Sequence, residues 1–152
     1  MNKLWLLGIT FLLTLVLVSM TVISWKGSDR SAELLSPSDW VKEGQIQVYP
    51  DHILLEVPGA SWATFTDTNS MDPFLDEKAN AMEVLPKDLN SIQAGDVISY
   101  ESPTGMLIHR VQEKGRDELG PYFVVKGDNT TFADPQKVRF TEVQGVLVAI
   151  IY

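Results

Sequence analysis

The sequence contains no cysteine among its 152 residues. This absence excludes disulfide bonds, thiolate zinc sites and a cysteine nucleophile, and it leaves the compartment undecided. Basic residues are also scarce, since 12 lysines and arginines stand against 20 acidic residues, for a net charge of −8. Nonspecific nucleic-acid binding needs clustered Lys and Arg to meet phosphates, so we expect no nucleic-acid partner. We expect neither a cofactor nor a bound metal.

Charge is absent from a long apolar run near the N-terminus, residues 4–25, LWLLGITFLLTLVLVSMTVISW. As an α-helix this run would extend roughly 33 Å, which is enough to cross a bilayer. Trp5 and Trp25 lie near its two ends, where amphipathic rings favour the membrane interface. The competing interpretation is a cleavable secretion signal, but such signals have a shorter apolar region followed by small residues. The run therefore predicts a retained transmembrane anchor over residues 1–25.

A short polar stalk, residues 26–39, is predicted after the apolar run. Positive charges lie on both sides of the run, Lys3 before it and Lys26 and Arg30 after it, so the positive-inside rule leaves the orientation open. A stalk this short would keep the following domain, residues 40–152, close to the membrane surface.

The domain is predicted to consist mostly of strands. Short β-rich runs alternate with Gly, Pro and Asn/Asp turn signals, a pattern typical of an all-β sandwich or barrel-like domain. The last run is one long strand or two strands broken at Gly145, and residues 80–92 are predicted to hold one helical turn at most. The runs are GQIQVYP, HILLEV, SWATFT, DVISYE, MLIHRVQE, YFVVKG and VRFTEVQGVLVAIIY.

Three separate stretches carry residues that suit hydrolysis by a serine. Ser70 lies in DTNSMDPFL, His109 in MLIHRV, and Asp128 and Asp134 in KGDNTTFADP. A serine hydroxyl needs a base within hydrogen-bond reach and a group that orients this base. Histidine suits the role of base, and either aspartate could accept its other ring N–H. Each residue taken alone also fits a structural role, Ser70 as a turn residue and His109 as part of an apolar strand.

The motifs NSMDP, AGDVISY, LIHRV and VVKGDNTTFADP occur in this order behind the apolar run. Together they resemble the boxes of the signal peptidase I family, over about residues 68–134. The resemblance implies an antiparallel, mainly β domain behind one transmembrane helix. It also implies a serine endopeptidase that removes signal peptides from exported preproteins. Such an enzyme lies in the cell membrane with its catalytic domain on the extracytoplasmic side, and its partners are preprotein signal peptides and the lipid bilayer.

The same resemblance implies roles for individual residues. Ser70 matches the nucleophile. His109 stands where the usual bacterial members have a lysine base, which makes the chain similar to the archaeal and endoplasmic-reticulum branch. Asp128 and Asp134 match the two acids of that branch, and we expect Asp134 to orient the imidazole. The backbone N–H of Ser70 and the hydroxyl of Thr68 are expected to bind the oxyanion.

Three features depart from the family pattern. Asn69 stands where glycine is common, Phe74 stands where a small residue is common, and the segment 76–93 is longer than in compact members. Asp96 matches an acid that we expect to be structural. These departures are expected either in an enzyme with a reshaped substrate groove or in a family member that has lost its activity.

The leading alternative is a catalytically inactive, membrane-tethered β domain that binds partner proteins. Self-cleaving phage-repressor relatives resemble this fold, but they use a lysine base and carry a DNA-binding head. A calcium loop in DTNSMDPFLDEK is rejected, because it lacks the loop glycine and ends in Lys78 where a bidentate glutamate is required.

Overall fold

The computed structural model describes residues 12–13 and 33–152. Within that part, a compact unit extends from Leu34 to Tyr152. Apart from residues 12–13, the predicted anchor lies outside the described residues, as do residues 26–32 of the predicted stalk. No helix in the described part of the chain has the length and apolar character needed to cross a membrane.

The described residues form eight strands in two antiparallel sheets, which confirms the prediction of a mainly β domain. Strand β1 (Ile46–Val48) pairs with β2 (Ile53–Leu55) in the small sheet. The six remaining strands form the large sheet in the order β3-β4-β8-β5-β6-β7. Their bounds are β3 Ala60–Thr64, β4 Asn80–Val84, β5 Val97–Ser102, β6 Gly105–Asp117, β7 Gly120–Lys126 and β8 Val143–Ile151.

Over residues 80–92 the sequence predicted at most one helical turn and no strand, but the first part of this segment is a strand. Asn80–Val84 form strand β4, which pairs with β3 on one side and β8 on the other. Its buried positions alternate as a strand requires, at Ala81 and Glu83. A glutamate at an inward position breaks the apolar alternation by which strands are found in a sequence, so the pattern gave no strand signal here.

The last run forms one strand, β8, which continues through Gly145. A short 3-10 turn, Phe140–Glu142, precedes it. The glycine does not interrupt the strand, and its lack of a side chain leaves room for a neighbour, since a Cβ there would lie 2.8 Å from Glu83 Oε2.

Two hydrophobic clusters pack against the large sheet, and neighbouring residues of β5 belong to different clusters. Ile98 and Tyr100 belong to the larger cluster, whereas Val97 belongs to the smaller one, as expected for side chains that alternate between the two faces of a strand. The smaller cluster also contains Met71 and Leu75. The segment that begins with Ser70 is therefore fixed to the sheet by the two apolar residues that follow it.

The end of the predicted stalk is bound to the domain. The backbone N–H of Ser38 donates to Asp96 Oδ1 at 2.6 Å, and the carbonyl of Ser36 lies so close to Gly95 that a Cβ there would be 2.0 Å from its oxygen. Gly95 has φ 101°, a conformation that suits glycine. Asp96 is fully buried and also accepts the backbone N–H of Gln93 at 2.8 Å, which is a structural role.

Candidate active site

A buried histidine and an aspartate form the centre of the site. His109, on β6, has its Nδ1 2.7 Å from Asp134 Oδ2, and the two side chains are 8% and 13% exposed. The hydroxyl of the fully buried Tyr100, on β5, donates to the same carboxylate oxygen. A ring nitrogen that faces a carboxylate donates its proton to it, so Nε2 keeps a free lone pair. The arrangement therefore prepares Nε2 of His109 to act as a base.

Nε2 of His109 borders the turn that carries Ser70. A Cβ placed on Gly127 would lie 3.1 Å from His109 Nε2 and 2.5 Å from the Ser70 carbonyl oxygen, so both atoms line one methyl-sized volume. Any larger residue at position 127 would collide with the Ser70 backbone. The glycine of KGDN thus allows the turn and the imidazole to come together.

The Ser70 hydroxyl is not hydrogen-bonded to His109 in this structure. Ser70 is half-buried, and its Oγ lies 3.2 Å from the Oγ1 of Thr68, the predicted oxyanion support. In active sites without substrate, catalytic hydrogen bonds are often long and tighten only in the complex. The structure therefore places the predicted nucleophile, its predicted support and the predicted base in one region, with the serine paired to the threonine.

The KGDN loop holds the segment around Ser70 with three hydrogen bonds, two to the backbone and one to a side chain. The N–H of Asn129 donates to the Ser70 carbonyl at 3.0 Å, and its side-chain amide donates to the carbonyl of Asn69 at 2.9 Å. The N–H of Asp128 donates to the sulfur of Met71 at 3.4 Å. Two motifs that are far apart in the sequence are thereby joined into one unit.

Asn69 adopts a left-handed backbone conformation, with φ 55°. Glycine takes this conformation most easily, and asparagine is among the few other residues that do so readily. The local geometry therefore accommodates Asn69 at a position where the signal peptidase I family commonly has glycine.

The two candidate acids have different partners. Asp134 contacts the imidazole, whereas Asp128 binds Arg110 through two hydrogen bonds, Nε to Oδ1 at 2.8 Å and Nη2 to Oδ2 at 2.6 Å. The guanidinium also donates to the carbonyl of Gly95 at 2.8 Å. Both side chains of this ion pair are buried. Asp128 is thus placed to hold the loop that binds the Ser70 turn, without touching His109.

Replacing Arg110 by methionine should lower the free energy of unfolding by about 3–5 kcal/mol, because it leaves the Asp128 carboxylate buried without its partner. Chemical denaturation of the full chain measures this loss. The double change Arg110→Met and Asp128→Leu removes both charges and should recover part of it. A single-variant loss below about 1 kcal/mol would show that the pair does not hold the loop.

A groove of about 310 Å³ opens beside Ser70. Residues 63–66, at the end of edge strand β3, form part of its lining, and so do Thr68 and Ser70. Glu83 and Ser99 line it as well. The groove is large enough to take a few amino-acid side chains, and Ser70 is part of its wall.

The roles of two site residues were not predicted, although both lie in the quoted motifs, Tyr100 in AGDVISY and Arg110 in LIHRV. Tyr100 and Arg110 act through partners that lie 34 and 18 positions away, and no local pattern reveals such pairs. The other histidine, His52, is exposed and stacks on Tyr49, away from this site. The described residues contain no group of three or more His, Asp or Glu side chains placed to hold a metal ion.

Comparisons with known proteins assign neither a family nor an activity to the chain. No family model matches the chain, and no solved structure matches it. The chain is similar to an uncharacterized protein of Methanocaldococcus jannaschii, with 27% identity over 77 residues. This match covers 51% of the chain and 38% of the archaeal protein, so it spans well under half of that relative. The similarity thus links the chain to an archaeal protein without giving it an activity.

Proposed function

We propose that the chain is a membrane-anchored serine endopeptidase that removes signal peptides from exported preproteins, as a member of the histidine branch of the signal peptidase I family. One observation carries the proposal. Asp134 binds Nδ1 of His109, while Nε2 of the same ring borders the small volume that the Ser70 turn also lines. The order of the four sequence motifs supports the same family.

In the proposed reaction, Nε2 of His109 takes the proton of the Ser70 hydroxyl as its oxygen attacks the carbonyl carbon of the scissile bond. Asp134 stabilises the imidazolium that forms. The proton then passes to the leaving amine, and an acyl-enzyme on Ser70 remains. Water, activated by the same histidine, hydrolyses this ester. The oxyanion accepts hydrogen bonds from the Ser70 backbone N–H and from Thr68, whose hydroxyl lies 3.2 Å from the Ser70 Oγ.

The substrate is proposed to bind as an added strand. Strand β3 is the last strand on one side of the large sheet, so one of its edges has no strand partner among the described residues. An extended peptide can pair its backbone with such an edge and place alternate side chains in the adjacent groove. Small side chains before the cut fit a groove of this volume.

The apolar run at residues 4–25 is proposed to hold the domain at the extracytoplasmic face of the cell membrane. A preprotein's own apolar signal segment lies in the same bilayer. Anchoring enzyme and substrate in one membrane raises the effective concentration of the cleavage region at the groove.

The proposal is tested with the full chain, purified in detergent and incubated with a preprotein that carries an intact signal peptide. We expect a single cut that follows a small residue, identified by sequencing the new N-terminus. The matched control is the same preprotein with a bulky residue before the cut, which should not be processed. Absence of processing across a panel of preproteins would count against the proposal.

The second candidate function is a tethered domain that binds export partners without cutting them. The observation in its favour is that the Ser70 Oγ is paired with Thr68 and makes no hydrogen bond to His109. The same experiment separates the two functions, because an inactive domain would bind the preprotein and leave it intact.

A further inference from the structure

The groove beside Ser70 contains a buried acid that the proposed reaction does not use. Glu83, on β4, is 7% exposed and lines the groove together with Ser99. Its Oε2 accepts a hydrogen bond from the Ser99 hydroxyl at 3.0 Å. Its Oε1 is shielded from solvent and has no hydrogen-bond partner within the described chain. A buried polar atom without a partner is costly, so a ligand that supplies one gains affinity.

The position of this carboxyl depends on a glycine. Gly145, on β8, is the register partner of Ser99, and Glu83 lies on the strand at the other side of β8. A Cβ at Gly145 would lie 2.8 Å from Glu83 Oε2 and 3.1 Å from Ser99 Oγ. The Glu83 side chain thus lies across bare backbone and reaches Ser99 two strands away. The groove wall therefore holds a carboxyl and a hydroxyl side by side.

Part of the groove lining around this pair is apolar. Phe65, Leu107 and Ile108 line the same groove, and Phe65 and Ile108 pack against the smaller hydrophobic cluster. In such surroundings a hydrogen bond discriminates strongly, because a ligand that lacks the polar group leaves the buried acid unpaired.

We propose that Glu83 and Ser99 form a polar subsite that takes a substrate side chain ending in a hydroxyl or a carboxamide. This inference rests on the proposed peptidase function and names a feature of its substrates. A threonine or asparagine side chain supplies the partner that Glu83 Oε1 lacks, once the carboxyl turns this oxygen, which is closed to solvent in the free chain, toward the groove. A valine side chain has the shape of threonine but offers only a methyl group, so it leaves this oxygen unpaired.

A neutral side chain suits this subsite better than a cationic one. Burial raises the pKa of Glu83, and the hydrogen bond from Ser99 offsets this only in part. The protonated form of a carboxyl, which a raised pKa favours, can both donate and accept a hydrogen bond, and this matches a hydroxyl or an amide. A lysine side chain would need the ionised acid and would carry its charge past Phe65 and Ile108.

The test uses peptide substrates that differ only by threonine, valine or lysine, placed in turn at each position before the cut. Cleavage by the full-length wild type gives kcat/KM, and binding to the Ser70→Ala variant gives Kd. At one position we expect threonine to be preferred over valine by about 10-fold or more in both measurements. At the same position lysine should be no better than valine.

Two variants of the acid make the test specific. Glu83→Leu should bring the threonine-to-valine ratio to about 1 or reverse it, whereas Glu83→Gln, which keeps hydrogen-bonding groups, should retain part of the preference. The ratio is taken within each variant, so it does not depend on the fraction of chain that is folded. Glu77→Leu, at an exposed acid outside the groove, is the matched control and should keep the wild-type ratio.

The outcomes separate this inference from the proposed function. Cleavage with equal use of threonine and valine at every position, a preference that survives Glu83→Leu, or a preference for lysine would overturn the subsite. Selective binding of the threonine peptide without any cleavage would support the subsite and count against the peptidase. Peptides that are neither bound nor cut would contradict both.

Discussion

Replacing Ser70 by alanine should abolish preprotein cleavage, lowering turnover by several orders of magnitude. The hydroxyl is the atom that attacks the scissile carbonyl in the proposed reaction. The KGDN loop holds the turn through the backbone of Ser70, by the bond from Asn129 N–H, so the alanine variant should keep its fold. Loss of activity without loss of structure would point directly to the hydroxyl.

The measurement is the initial rate of preprotein processing, read from the newly formed N-terminus. Ser91→Ala is the matched control, because Ser91 is hydrogen-bonded within a local turn to Asp88 and does not line the groove. We expect this control to cleave at the wild-type rate. Full cleavage by the Ser70→Ala variant would end the assignment of Ser70 as the nucleophile.

Replacing His109 by alanine should have a comparable effect. Without the imidazole the proposed base is lost, and the Asp134 carboxylate keeps its bond from the Tyr100 hydroxyl. Nucleophile and base act as a unit, so the loss of either costs about as much as the loss of both. The double variant Ser70→Ala and His109→Ala should therefore be no slower than either single variant.

The second histidine of the chain provides the control. His52 is exposed and contacts Asp51 at 2.8 Å, outside the candidate site. His52→Ala should retain wild-type processing of the same preprotein. Equal losses in the His52 and His109 variants would mean that the imidazole of His109 has no special role.

The sequence predicts the strands of the domain well where apolar residues alternate and turn residues bound the run. The prediction fails at β4, because one of the two inward positions of that strand is occupied by the acid Glu83. The physical reason is that burial of this carboxyl depends on a partner at Ser99 and on space above Gly145, and both come from other strands. Such a strand cannot be predicted from its own sequence, because the contacts that bury its acid come from neighbouring strands.

The sequence predicted which residues form the candidate site, but it predicted fewer of the contacts between them. The motifs indicated Ser70, His109 and two aspartates, and chemistry alone left open which aspartate faces the imidazole. In the structure Asp134 is hydrogen-bonded to His109 and Asp128 to Arg110. Which aspartate contacts the imidazole depends on how the loop folds over the end of β7. The predicted anchor and the predicted activity stay predictions.

The central claim is that the Ser70 Oγ becomes a nucleophile when His109 takes its proton. A peptide boronic acid tests this directly, since an active serine adds to boron and gives a tetrahedral adduct that resembles the transition state. Boron NMR of the full-length chain should show a tetrahedral signal with the wild type and none with the Ser70→Ala variant. An unchanged signal in that variant, or no signal from a wild-type chain that cleaves the matching substrate, would contradict the account.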